Sequence, residues 1–156
     1  MPVFNPRPIT VTASDITGTL SVAQGGTNVS NLSDFQSSFL FTNTTYTPTL
    51  TNVANITGST AYACQYLRVG NSVTVSGVVD VDPTLTVTAT QLGISLPVAS
   101  ALTSRLQIGG VGFSPNIAGM GASILGDATN DRAQMEWISA DITSQPMYFT
   151  FTYLVL

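Results

Sequence analysis

Between Ser72 and Val81 the residues Val73, Val75, Val79 and Val81 fall on one parity, and Thr74 and Ser76 on the other. Only an extended strand sends residues two apart to the same side, so this run reads as a β-strand with one face in a core and the other in water. The same period returns at the end of the sequence, where Met147, Phe149, Phe151, Tyr153 and Val155 alternate with smaller or polar residues. That strand closes on Leu156 without a polar tail, so it is expected in the middle of a sheet or at a subunit interface.

Turn residues divide the rest of the region from Tyr46 onward into further strands. Tyr62 to Val69 ends at the turn dipeptide Gly70-Asn71. Asp82-Pro83 interrupts the next run, and Leu85, Val87 and Ala89 alternating with Thr84, Thr86, Thr88 and Thr90 predict another strand. Residues 106–114 and 117–125 read as glycine-rich strands, the glycines marking bulges or close backbone approach. The cluster Gly126-Asp127-Ala128-Thr129-Asn130-Asp131 predicts a turn before a strand from Arg132 to Ile138. Strands at this spacing, joined by turns, predict an all-β fold: an antiparallel β-sandwich or jelly-roll-like domain over 46–156.

The N-terminal part differs in kind. Pro2, Pro6 and Pro8 fix their own φ and push the preceding residues to extended angles, so residues 1–27 read as an extended arm. At about 3.3 Å per residue, a 25-residue arm reaches roughly 80 Å. Val29, Leu32, Phe35 and Phe39 then recur at helical spacing, which predicts one short amphipathic helix over 31–39 with Ser30 or Asn31 as N-cap. So short a helix is marginal alone and needs to pack its stripe against copies of itself or the main body. Residues 28–45 are therefore read as a helix and connector.

Composition narrows the chemistry. Of 156 residues, 23 are Thr and 16 Ser, while only 8% are charged, against about a quarter in an average soluble domain. There is no His and no Lys, the four cations being Arg7, Arg68, Arg105 and Arg132. A Ser–His–Asp triad and His-ligated metals are excluded. A net charge of −4 argues against nucleic acid as a partner, because such binding needs clustered cations. Cys64, a single cysteine, permits no disulfide framework. No apolar run approaches the roughly 18 residues of a membrane helix, and the N-terminus lacks the basic start and apolar centre of a secretory signal. A mean hydropathy of +0.32 without a membrane segment points to burial between subunits.

Candidate reactive groups have bland competitors that outweigh them. Asp80 and Asp82 lie two apart on a strand end, as a Ca²⁺ site or an acid pair would require, but no further acid follows closely and a solvated strand terminus is the simpler reading. Asp127, Asn130, Asp131 and Glu136 lack the central glycine of an EF-hand loop and read as a polar hairpin. Cys64 has no His or Lys nearby in sequence and reads as a buried thiol. Trp137 and the tyrosines have the shape of sugar-stacking platforms, yet Met135 and Trp137 share a face that reads as core. No catalytic, metal or cofactor site is assigned.

One segment carries a resemblance. Ile16-Thr17-Gly18-Thr19-Leu20-Ser21-Val22-Ala23-Gln24-Gly25-Gly26-Thr27 resembles the I-x-G-T-L-x-V-A-x-G-G-T-G stretch of phage tail fibres and related virion fibres, departing from it at Asn28. The region from Tyr46 onward is similar to fibre-tip domains in style only: Thr- and Gly-rich, free of Lys, ending in an aromatic strand. The resemblance implies a homotrimeric, non-enzymatic virion protein, a small head or tail fibre or a capsid decoration protein on the phage particle surface. It implies that Pro2, Val3, Phe4, Pro6, Pro8 and Ile9 anchor the arm to a capsid, portal or tail protein. It implies too that Gly25, Gly26, Val29, Leu32, Phe35 and Phe39 pack at the trimer axis, with host-surface polysaccharide as a partner of the distal loops. A stand-alone carbohydrate-binding β-sandwich is the alternative, and a glycan-cleaving tailspike a more distant one.

Overall fold

The computed structural model describes residues 41–156. The arm, its anchor residues, the helix expected over 31–39 and the trimer-axis residues Gly25, Gly26, Val29, Leu32, Phe35 and Phe39 lie outside the described residues.

Strands make up 62% of the described residues, and they are joined in one antiparallel sheet that curls into a half-barrel. In chain order they are β1 (Phe41–Tyr46), β2 (Leu50–Ala54), β3 (Ile56–Ala61), β4 (Cys64–Val69), β5 (Ser72–Pro83), β6 (Ala89–Ser95), β7 (Ile108–Phe113), β8 (Gly121–Asp127), β9 (Arg132–Ile138) and β10 (Gln145–Leu154). Their lateral order is β1-β4-β5-β10-β7-β8-β9-β6-β2, with β3 added to the far half of β5. The all-β expectation holds. β1 starts at Phe41, ahead of Tyr46 where the sequence pattern placed the start of the β region.

The alternation read from the sequence sorts the sheet into two faces. Val73, Val75, Val79 and Val81 of β5 are fully buried, and so are Met147, Phe149, Phe151 and Tyr153 of β10 to within a few per cent. Leu92 and Ile94, Ala122 and Ile124, and Ala133, Met135 and Trp137 belong to the same core, with Cys64, Leu102, Ile108 and Met120. β10 runs the length of β5 on one side and pairs with β7 on the other, so the apolar last strand does lie mid-sheet. Each of its large side chains removes enough apolar area from water to contribute roughly 2–3 kcal/mol. Room for these aromatics comes from glycine across the ladder. Gly77 faces Phe149, and a Cβ there would overlap the Cys64 sulfur.

The curl is drawn together by a bend. β2 and β3 are consecutive, yet β2 bonds to β6 and β3 to β5, strands far apart in the lateral order. Asn55 joins them at φ 57°, a left-handed angle that Asn tolerates better than other non-glycine residues. Its side chain then holds the neighbouring loop. Nδ2 donates to Leu85 O (2.9 Å), Thr90 Oγ1 (2.8 Å) and Ser139 Oγ (3.1 Å), and Oδ1 accepts from Leu85 N (2.8 Å).

That clamp overturns one sequence expectation. Residues 84–88 form a bent loop, not the start of a strand, and β6 begins only at Ala89. The backbone groups of Leu85 bond to Asn55 in place of a ladder partner, and Val87 N donates to Ser139 O (2.6 Å). Leu85 and Val87 are left 59% and 83% exposed. Val87 sits at φ 52°, where a β-branched side chain crowds its own backbone. Val87→Asn is expected to stabilise the fold by about 1 kcal/mol, because Asn accepts that angle. Chemical denaturation of the two proteins reads the difference directly. The other shift is smaller: residues 117–120 turn tightly, Gly119 at φ 79°, so β8 begins at Gly121 and runs to Asp127.

Candidate functional site

With one face of the sheet committed to the core, its chemistry toward other molecules lies on the outward face. There, alternation turns outward the half-buried Val78 of β5 and exposes Tyr148 and Thr150 of β10 and Val111 and Phe113 of β7. Register aligns them in two cross-strand rows: Val78, Tyr148 and Phe113 in one, Ser76, Thr150 and Val111 in the next. The Phe113 and Tyr148 rings stack with centroids 5.7 Å apart and planes 19° from parallel. Both stand in solvent at 53% and 45% exposure, and Val111 at 62%. Together with Gln65, these residues line a groove of about 470 Å³ in which no side chain is charged.

Beyond Val111 a second, more polar groove of about 600 Å³ runs past Gln91, Ser123, Glu136 and Ile138. Its carboxylate is already engaged: Glu136 accepts from Gln134 Nε2 (2.8 Å) and from the Arg105 guanidinium (3.3 Å). An exposed pair such as Arg105–Glu136 adds little to stability.

Of the acids singled out in the sequence, Asp80, Asp127, Asp131 and Glu136 take structural hydrogen bonds, while the Asp82 carboxylate takes none among the described residues. Asp80 accepts a 2.6 Å hydrogen bond from the Tyr62 hydroxyl, which raises the pKa of that phenol. Asp127 pairs with Arg132 at 2.8 Å and also takes the Asn130 amide. Asp131 bridges two segments, accepting from Ser100 N (3.1 Å) and Leu102 N (2.9 Å). Burial pushes the Asp131 pKa up, but the backbone donors at Leu102, Ser100 and Ala101 outweigh it and leave the carboxyl below its ordinary value. A depressed folded-state pKa contributes stability that is present above the unfolded value of about 3.9 and is lost as pH falls through the folded value. Thermal unfolding followed from pH 6 down to pH 2 should therefore show a steeper acid loss for the wild type than for Asp131→Asn. Equal slopes would show that this carboxylate does not carry the linkage.

Among the described residues no three His, Cys, Asp or Glu side chains are grouped to hold a metal. Cys64 is fully buried, its thiol pKa raised by burial, and its Sγ donates to Tyr62 O (3.4 Å). Trp137 and Met135 are core residues, as their shared parity indicated. The Trp137 Nε1 is the one buried side-chain polar atom without a partner among the described residues.

The outward aromatic pair was missed at the sequence level. Tyr148 stands out in retrospect as the lone aromatic on the polar parity of β10. Phe113 gave no such signal, because its place beside Tyr148 depends on the register between β7 and β10. The anchor residues Pro2, Val3, Phe4, Pro6, Pro8 and Ile9 lie outside the described residues. Against protein-family models and against curated proteins, the sequence matches none.

Proposed function

We propose that the chain is a non-enzymatic structural protein of a bacteriophage particle, a homotrimeric fibre or decoration protein with a jelly-roll-like β body on the particle surface. Residues 1–27 attach it to a capsid, portal or tail protein, and host-surface polysaccharide is a further partner. The observation that carries this reading is the segment Ile16–Thr27, which has the pattern of the stretch joining attachment region to trimeric body in virion fibres. The β body supports it. One continuous sheet uses Asp80, Asp127, Asp131 and Glu136 in side-chain hydrogen bonds and presents an uncharged groove with exposed Val111, Phe113 and Tyr148, a surface suited to being covered by protein.

A chain lacking residues 1–27 tests the anchor. The truncated protein is expected to remain folded and trimeric while disappearing from purified particles. Incorporation at the wild-type level would show that the arm is not the attachment.

The stacked Phe113–Tyr148 pair on an uncharged groove favours a second reading, a stand-alone carbohydrate-binding module, since flat aromatic faces with neutral polar neighbours suit sugar rings. That reading requires a monomer with saturable binding to a neutral oligosaccharide. A trimer that binds none excludes it.

A further inference from the structure

We propose that the outward face of β5, β10 and β7, centred on Val111, Phe113 and Tyr148, is the surface on which a second copy of this chain docks. The inference rests on the homotrimeric reading and names the surface that reading requires.

Three observations select a second copy over other occupants. The first is apolar area: the three central side chains are each about half exposed or more, contiguous by register, and set in the middle of the sheet. Contiguous exposed apolar side chains of this kind often mark interaction sites. The second is charge. Another copy carries the same net −4, so contact through an acidic surface is repelled, whereas the residues lining this groove include no charged side chain. Asp80, two residues along β5 from Val78, has its carboxylate turned to the Tyr62 hydroxyl.

The third concerns the hydroxyls. Thr150 Oγ1 donates to Val75 O (3.0 Å), and Thr74 and Thr152 bond to each other (3.0 Å). Covering these threonine hydroxyls leaves them bonded, while the Tyr148 hydroxyl, Gln65 and Ser76 are left to bond across the contact. A glycan would find few free hydroxyls on the threonine rows, since Thr74, Thr150 and Thr152 bond within the sheet. Because β10 is hydrogen-bonded on both sides, the face is formed before association and little ordering is needed.

The test uses the full chain and its Val111→Arg and Tyr148→Arg variants, with Leu106→Arg as control. Leu106 is 83% exposed, lies on the 3₁₀ turn Arg105–Gln107 and does not line this groove. Sedimentation should show trimers for the wild type and Leu106→Arg, and at least a tenfold weaker association for the two face variants. Trimers unchanged by either face substitution would overturn the proposal while leaving the homotrimer standing. A monomeric wild type would overturn the homotrimeric reading itself.

A measurement on the wild type guards against variants that fail to fold. Tyr62 and Tyr148 are almost equally exposed in the single chain, at 43% and 45%. Hydroxyl-radical labelling is expected to oxidise Tyr148 several-fold more slowly than Tyr62. Equal rates in an oligomeric sample would place the interface elsewhere.

Discussion

Gly110→Val should destabilise the fold severely, while Gly109→Val, one residue away, should leave it nearly unchanged. Both glycines lie on β7 and pair with β10, Gly110 opposite Phe151 and Gly109 opposite Thr152. A Cβ at Gly110 would run into the Thr150 carbonyl oxygen and the Phe151 Cα and Cβ, atoms of the neighbouring strand's backbone and side-chain root. They can yield only if β10 moves away and the ladder at the centre of the sheet opens. A Cβ at Gly109 meets nothing within 4 Å. Overpacking against backbone belongs to the costly end of core substitutions, about 4 kcal/mol or more. In a domain of this size that lowers the unfolding temperature by roughly 15 °C. Gly109→Val should stay within about 0.5 kcal/mol of wild type. Differential scanning of the two variants gives the comparison, and similar losses in both would show that strand propensity, not space, sets the effect.

Asn55→Ala is the other severe change, with an expected loss of about 3–5 kcal/mol. The amide gives up its bonds to Leu85 N and O and to two buried hydroxyls, those of Thr90 and Ser139. Each bond contributes about 0.5–1.5 kcal/mol; the two hydroxyls are not orphaned, since Thr90 Oγ1 keeps its bond to Thr88 O and Ser139 Oγ its bonds to Leu85 O and Thr88 O. Alanine must also take the left-handed angle at φ 57°. Asn55→Gly separates the two effects, since glycine adopts that angle freely and lacks the side chain. It should recover about 1 kcal/mol of the loss and no more. Recovery of most of the stability would mean that the bend, not the hydrogen-bonded clamp, is what Asn55 supplies.

The faces of the sheet were legible where alternation ran long. β5, β9 and β10 have their buried residues at the positions the period of two assigns, and the Gly70-Asn71 turn falls between β4 and β5. The stretch Leu85–Thr90 shows where the pattern stops deciding. Its Thr and apolar residues alternate as cleanly as those of β5, yet strand formation needs a ladder partner for its first half. A side chain 30 residues upstream in sequence takes those backbone groups instead. Pairing was the other hidden quantity. Which strand lies beside which, and in what register, fixes the Phe113–Tyr148 stack, and neither is encoded in a local period. Gly110 was visible only as part of a glycine-rich run; its necessity follows from Phe151 standing opposite.

A structural role in a particle and a recognition role as a free module make opposite demands on this β body. The first wants the neutral outward face covered by protein; the second wants it open. The scarcity of charge that excluded so much chemistry fits the first. With Asp80, Asp127 and Asp131 tied to Tyr62, Arg132 and the Ser100–Leu102 backbone, the central surface carries no charge that would oppose the proposed contact between identical copies. The mass of the full chain in solution, by light scattering on a sizing column at micromolar concentration, decides between them. Three chains of 16.3 kDa, about 49 kDa, is the predicted result. A single species at 16.3 kDa would contradict the account.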